Sequence, residues 1–477
     1  MHHYRGPVSV MMSVLLAVSV LTSAFSVQTV KAQGVFIYIY YDGSIDGTTD
    51  IQSPDKVTYY FTNNINGSIY VGKDDIIIDG NGYTLRGSGT GIGIGTMFGG
   101  IENLTIRNLC IENFETGIVV GYPHDDSPFQ TYYNISGNDI EKNNYGIRIY
   151  YCSSINVNAN NIANNRYGMR IESSANNTIN ANYISANNDS GIQLYSCSNN
   201  NITANNLTAN SYYGILLDHS TDNSISGNTF INNGLHLWNS IHNSVEDNIV
   251  NGKPLVYLED VSNYSVGEAG QVILVNCDNI RVENLNLSKA TTGLELCWTN
   301  NTIISSNNMT ANGLWGIYLY SSSNNSITGN NVADNLRGVW LDFASNYNTI
   351  AGNNITGNAQ SGLFIVNDSR YNTVYFNNFN FIDSLMRQVY AMDLPNFFDD
   401  GSHGNYWSDY QTKYPNATQT NGVWNTPYSV DTNNTDHYPL VNQITVQIPE
   451  FPSITILVLF VLSAVLIIIF KKGVRYR

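Results

Sequence analysis

Along most of the chain the apolar residues keep step with a recurring glycine. Gly146, Gly168, Gly191, Gly214 and Gly234 mark one series and Gly270, Gly293, Gly316, Gly338 and Gly362 a second, most of them 22 to 24 residues apart. One position on stand Ile147, Met169, Ile192, Ile215, Leu235, Leu294, Ile317, Val339 and Leu363. Three positions on stand Ile149, Ile171, Leu194, Leu217, Leu237, Leu296, Leu319, Leu341 and Ile365. Apolar residues two apart with other types between them predict a β-strand with one buried face. Further apolar columns fall eleven residues after the glycine (Val157, Ile179, Ile202, Ile225, Val245, Ile327) and sixteen after it (Ile162, Ile184, Leu207, Phe230, Val250, Val332). Each unit is therefore one rung of three short strands.

Between the strands the chain is almost all Asn, Ser, Thr and Gly, as in "SNNSITGNNVADN" from Ser323 to Asn335. Such composition alone reads as loop or disorder, but one asparagine column is regular. Asn160, Asn182, Asn205, Asn228, Asn248, Asn307 and Asn330 stand fourteen residues after their glycines. Rungs about 4.8 Å apart let such amides bond up the stack. A leucine-rich horseshoe has a similar period, but its convex side needs helical or compact segments, and these rungs are poor helix material. The predicted fold class is all-β, a right-handed parallel β-helix. A solenoid accommodates 477 residues in one elongated domain because it grows without widening.

The two ends read differently. "VSVMMSVLLAVSVLTSAFSV" (Val8 to Val27), leading to Val30-Lys31-Ala32, predicts a signal peptide over residues 1–32. "ITILVLFVLSAVLIIIF" (Ile454 to Phe470) has no charge and precedes Lys471, Lys472, Arg475 and Arg477, which predicts a membrane helix at 454–470 with a basic cytoplasmic tail at 471–477. The repeats then face outward from the cell. Between the ends, residues 33–99 form a cap and first strands, 100–380 the β-helix with a hairpin-like excursion at 252–270, 381–446 an aromatic cap and 447–453 a linker. Without Arg5, Lys31 and the four tail cations, 15 basic residues face 37 acidic ones, a net charge of about −22. That excludes nucleic acid as a partner, since duplex binding requires phosphate neutralisation. Sixteen Asn-x-Ser/Thr sites accompany this charge and mark a candidate glycoprotein. Cys152 and Cys197 stand two rungs apart, beyond disulfide reach, and Cys277 and Cys297 occupy different positions, so the five cysteines read as buried thiols.

"IIIDGNGYTLRGSG" (Ile76 to Gly89), the rung pattern, "NGKPLVYLEDVSNYSV" (Asn251 to Val266) and the ending "GNYWSDY" (Gly404 to Tyr410), "TPYSVD" (Thr426 to Asp431) and "DHYPL" (Asp436 to Leu440) resemble the NosD-like β-helix proteins of archaeal surfaces. These belong to a wider carbohydrate-binding and sugar-hydrolysis β-helix class. "PEFPS" (Pro449 to Ser453) is similar to the PEF sorting signal, which implies an archaeosortase-like processing enzyme as a partner. The family name implies copper, yet copper selects clustered His, Cys or Met, whereas the eight histidines are scattered and Met169 fills an apolar column. Calcium, implied where relatives carry an acidic run between "YWSDY" and "TPY", meets "QTKYPNATQTNGVWN" here, without Asp or Glu. No cofactor is therefore assigned. Tyr406, Trp407, Tyr410, Trp424 and Tyr428 read as a plug over the open end of the solenoid.

The residues two and four after each glycine are expected to point away from the core. They are Arg148, Arg170, Gln193, Leu216 and His236 in one column and Tyr150, Glu172, Tyr195, Asp218 and Trp238 in the other, continued by Tyr318, Trp340 and Phe364 and by Tyr320 and Asp342. Rings stacked along a strand ladder suit sugar faces, and Arg, Gln and carboxylates suit hydroxyls. Glu172 and Asp218, two rungs or about 9.6 Å apart, are the candidate acid and base of an inverting hydrolase. The pattern supports a surface protein that binds polysaccharide or cell-envelope glycan, or builds the envelope. A polysaccharide hydrolase or lyase is the alternative reading, and copper delivery a third.

Overall fold

The computed structural model describes residues 34–97, 101–121, 129–130, 132–380, 388–392 and 394–449. The signal segment, most of the sorting motif and the C-terminal apolar run lie outside the described residues. Among the described residues no helix is long and apolar enough to cross a membrane.

The chain winds into a parallel β-helix of about 14 turns with almost no helix. The glycine-led strands pair in parallel and in register, Tyr145–Tyr150 on Tyr167–Glu172 on Ser190–Tyr195 on Tyr213–Asp218. Steric contact fixes the glycine column. A Cβ on Gly168 would sit 2.5 Å from the carbonyl oxygen of Gly191 in the next rung. Inside, the columns one and three after the glycine are fully buried from Ile147 and Ile149 to Leu363 and Ile365.

Asparagine ladders close the turns. Asn182 Oδ1 accepts both the backbone N–H and the side-chain Nδ2 of Asn160, each at 3.0 Å, and Asn182 Nδ2 donates to Val157 O at 2.9 Å and to Asn205 Oδ1 at 3.0 Å. This column runs on through Asn228 to Asn248. Two more ladders stand at the other turns, Asn143–Asn165–Asn187–Asn210–Asn233 and Asn177–Asn200–Asn223–Asn243. The cysteines are free, and all but Cys110 are buried. Cys152 and Cys197 share a small-residue column with Ser174 and Ser220, whose hydroxyl oxygens accept their backbone N–H groups.

The stack is interrupted once. After Ile249–Val250 the chain reverses at Asn251 and Gly252, Lys253–Glu259 pairs antiparallel with that strand, and the same segment then pairs in parallel with Gln271–Val275 to found a second stack. Two large cores result: the first is closed at its end by Leu255, Ile273, Val275, Ala290 and Cys297 of the second stack, and the second lies within that stack. Leu235–Trp238, the last glycine-led strand of the first stack, has no strand on its far edge, and side chains of the second stack satisfy it instead. Leu235 N–H donates to Gln271 Oε1 (3.1 Å), Gln271 Nε2 to Leu235 O (2.6 Å), Thr291 Oγ1 to Gly234 O (3.2 Å) and Leu237 N–H to Glu295 Oε1 (3.2 Å). A sheet edge is thereby closed without a strand. At the C-terminal end Trp407, Tyr410 and Tyr428 are buried in the second core, with the Trp407 and Tyr428 rings stacked at 4.1 Å and Tyr410 on Trp424 at 4.8 Å.

Candidate ligand-binding site

Because the second stack starts against the end of the first, the outward columns of the two stacks meet at an inner corner. His236 is fully buried there. Its Nδ1 lies 2.8 Å from Glu295 Oε2, its ring stacks on Tyr213 at 5.4 Å, and Trp315 meets it edge-on at 4.9 Å. His236, Tyr318, Asp342 and Tyr150 stand outside the two large cores, as the alternation predicts, but all four are buried, which corrects their reading as ligand contacts open to solvent. Tyr318 lies under Trp315 at 4.7 Å and reaches Asp342 Oδ2 at 3.4 Å. Asp342 also accepts from Asn367 Nδ2 at 2.6 Å, and burial raises its carboxyl above the usual carboxylate range. Tyr150 lies beneath the Arg148 guanidinium, 4.6 Å from its ring, and burial pushes its hydroxyl up to about 12.

Around this buried centre the remaining rings form a half-exposed run. Trp298 meets Tyr320 at 5.3 Å, Tyr320 meets Trp238 at 6.4 Å, and Trp238 lies over Tyr318 at 6.5 Å. From Tyr318 the contacts continue to Trp340 (5.4 Å), Phe364 (5.5 Å) and Tyr390 (4.9 Å), one rung at a time. Arg337 lies 4.8 Å from the Trp340 ring and 4.6 Å from that of Phe364.

The run begins in a cleft of about 310 Å³, lined by Asn239, Ile241, His242, Glu259, Asp260, Asn276 and Trp298. Four of these belong to one turn column in the left-handed backbone region: Asn239 (φ 49°), Asp260 (58°), Asn276 (49°) and Trp298 (50°). Asn and Asp adopt that region readily, whereas an indole there is strained. Glu259 Oε1 accepts the His242 N–H at 2.7 Å, its Oε2 accepts the Tyr257 hydroxyl at 2.6 Å, and Asn276 Nδ2 donates to Asp260 at 2.5 Å. Sequence reasoning missed Trp298, His242, Glu259 and Asp260 because they occupy a turn and the start of the second stack rather than the strand columns.

The first-stack columns are arranged differently. Glu172 Oε1 accepts from Arg148 at 3.2 Å and from Arg170 at 2.8 Å. Gln193 donates to Ser190 Oγ at 2.8 Å, and Asp218 lies 2.6 Å from His219 Nδ1. Tyr195, 43% exposed, stands in register between Glu172 and Asp218. The fold places Glu172 and Asp218 two rungs apart, as the repeat spacing predicts, and each lies against a basic side chain.

Rungs of parallel strands, asparagine ladders at the turns and a ring-lined corner define the class as a parallel β-helix protein. The chain belongs to the family described as periplasmic copper-binding protein (NosD), whose profile matches residues 41–236 and 232–412. That description agrees with a position outside the cytoplasm. No curated protein sequence matches the chain. Among solved structures it is similar to the lidless DFA-IIIase of Arthrobacter chlorophenolicus A6, at 16% identity and a TM-score of 0.30, over 55% of this chain and 63% of that one. It is similar also to the mannuronan C-5 epimerase AlgE6 A-module of Azotobacter vinelandii (15%, TM-score 0.24, 72% and 89%) and to the Dettilon tailspike protein (15%, TM-score 0.26, 61% and 60%).

The described residues do not fit copper. Cys152, Cys197 and Cys277 direct Sγ at backbone carbonyls. Burial pushes the Cys197 thiol up to about 12 and the Cys297 thiol well above its ordinary value, away from the thiolate a metal needs. Met169 and Met309 are sealed in the cores. Among the described residues the one cluster of three donors is His242, Glu259 and Asp260, with ligand atoms within 4.8 Å of one another. One imidazole and two carboxylates make a hard, oxygen-rich set, unlike the soft ligands that select Cu(I).

Proposed function

We propose that this protein is an extracytoplasmic saccharide-binding β-helix, and that a sugar chain lies along the outer corner from the Trp298 cleft to Tyr390. The supporting observation is the run of half-exposed rings through Trp298, Tyr320 and Trp238 that continues past the buried Tyr318 to Trp340 and Phe364. Ring faces repeated about every 4.8 Å suit a repeating ligand, and the amides of Asn239 and Asn276 offer donors and acceptors to its hydroxyls. Binding is favoured over hydrolysis because Glu172 and Asp218 are each held by a basic neighbour. If the apolar run at 454–470 holds the chain to a membrane, this corner is presented to envelope glycan.

A glycan array probed with the full chain, beside Trp298→Ala, Trp340→Ala and a Glu172→Gln, Asp218→Asn double variant, tests this. The wild type and the double variant are expected to retain the same glycan without shortening it, and each tryptophan variant to lose at least about tenfold in affinity, in line with a buried aromatic anchor. A wild type that retains no glycan contradicts the reading. Cleavage that disappears only in the double variant replaces it with a hydrolase.

A further inference from the structure

Six of the described arginines lie against a carboxylate: Arg86 on Glu112, Arg107 on Asp79, Arg148 and Arg170 on Glu172, Arg281 on Glu283 and Arg370 on Asp368. Arg166 is exposed, with its guanidinium over the Tyr167 ring. Arg337 is the exception. It is half-buried between the Trp340 and Phe364 rings, and among the described residues no carboxylate lies within ion-pair distance and its Nε has no hydrogen-bond partner. Its neighbours share the deficit. Trp340 Nε1 and Ser361 Oγ are also buried without partners, and Ser361 stands in register with Arg337 on the adjoining strand. A shielded cation with no counter-charge is costly and persists where something else supplies the anion. Burial accordingly lowers the Arg337 guanidinium below its usual range. The surroundings heighten the anomaly, since the chain as a whole has 37 acidic against 21 basic residues and an excess of carboxylates from which to pair it.

We infer that Arg337 is the anion subsite of the ring-lined face, and that the ligand is an acidic saccharide whose uronate carboxylate the guanidinium takes while Trp340 and Phe364 carry the neighbouring sugar ring. A planar guanidinium matches a carboxylate in bidentate fashion, and the flanking rings hold it in one orientation and exclude water, which strengthens the pair. The inference rests on the saccharide-binding reading of this face and adds the charge of the ligand to it.

The purified full chain is titrated with a short oligogalacturonate, its methyl ester, a sulfated neutral oligosaccharide and inorganic phosphate alone, for the wild type and for Arg337→Gln and Arg337→Lys. The acid is expected to bind at least about tenfold more tightly than the ester. Arg337→Gln removes that preference while leaving the ester's affinity in place, and Arg337→Lys restores part of it. Equal affinity for acid and ester, or a preference that survives Arg337→Gln, overturns the inference while sparing the saccharide reading. Tighter binding of the sulfated sugar reassigns the anion to a sulfate ester, and phosphate binding as tight as the oligomer reduces the subsite to an adventitious anion only. If neither acid nor ester binds, the saccharide reading itself falls.

Discussion

At the scale of single residues, Asp436 shows how a side chain both ends a column and makes it sensitive to pH. In the second stack the ladder Asn307, Asn330, Asn353, Asn377 and Asn405 passes its backbone N–H donors from rung to rung, and the last acceptor is a carboxylate. Asp436 Oδ2 accepts from the Asn405 N–H and from Trp407 Nε1, both at 2.7 Å, and Oδ1 accepts from the Tyr438 N–H at 3.0 Å. Burial outweighs these bonds and pushes the carboxyl up to about 6 from 3.8. A value raised in the folded state means that the fold holds the proton more tightly than the unfolded chain does. The stabilisation is complete below 3.8 and is lost as pH rises through about 6. Asp436→Asn, which places the ladder's own residue type there, does not titrate. The wild type is expected to lose roughly 3 kcal/mol relative to this variant between about pH 4 and pH 7, read from denaturant curves of both proteins. Curves that stay parallel across that range contradict the assignment.

At the scale of the rung, the ladders are the element on which the fold depends. Asn205 Oδ1 accepts from the Asn182 N–H and Nδ2, and Asn205 Nδ2 donates to Ile179 O and Asn228 Oδ1. Asn205→Leu leaves those groups buried without partners and is expected to cost about 1 to 3 kcal/mol, read as a lowered melting temperature; an unchanged one contradicts the ladder. This column was legible in the sequence because its asparagines stand at one fixed distance from the glycines. The ladders of Asn165, Asn187 and Asn210 and of Asn177, Asn200 and Asn223 stand at equally fixed distances, 19 and 9 residues after their glycines, and went unread because nearly every turn position is Asn. The strand alternation likewise gave the outward columns, and Trp238, Tyr320 and Trp340 do line the corner. The burial of His236 and Tyr318 was not legible, because it follows from one stack meeting another. His236 and Glu295 are 59 residues apart, and no period within a rung encodes their contact.

At the scale of the molecule, that meeting converts two plain stacks into a shaped surface. Gln271, Thr291 and Glu295 reach across to the open edge of Leu235–Trp238, so that edge is met by side chains while Lys253–Glu259 joins the stacks through Ile249–Val250. The consequence is a corner where rings from both stacks face the same space, whereas on the first stack alone the charges around Glu172 pair with one another. The central claim is that ligand occupies this corner. Hydroxyl-radical footprinting of the full chain, with and without the glycan it retains, tests it most directly. The account predicts protection of Trp298, Tyr320, Trp340 and Phe364, with Tyr183, Tyr195 and Tyr212 on the first stack oxidised equally in both states. Protection confined to the first-stack tyrosines, or none at the four corner rings, would contradict it.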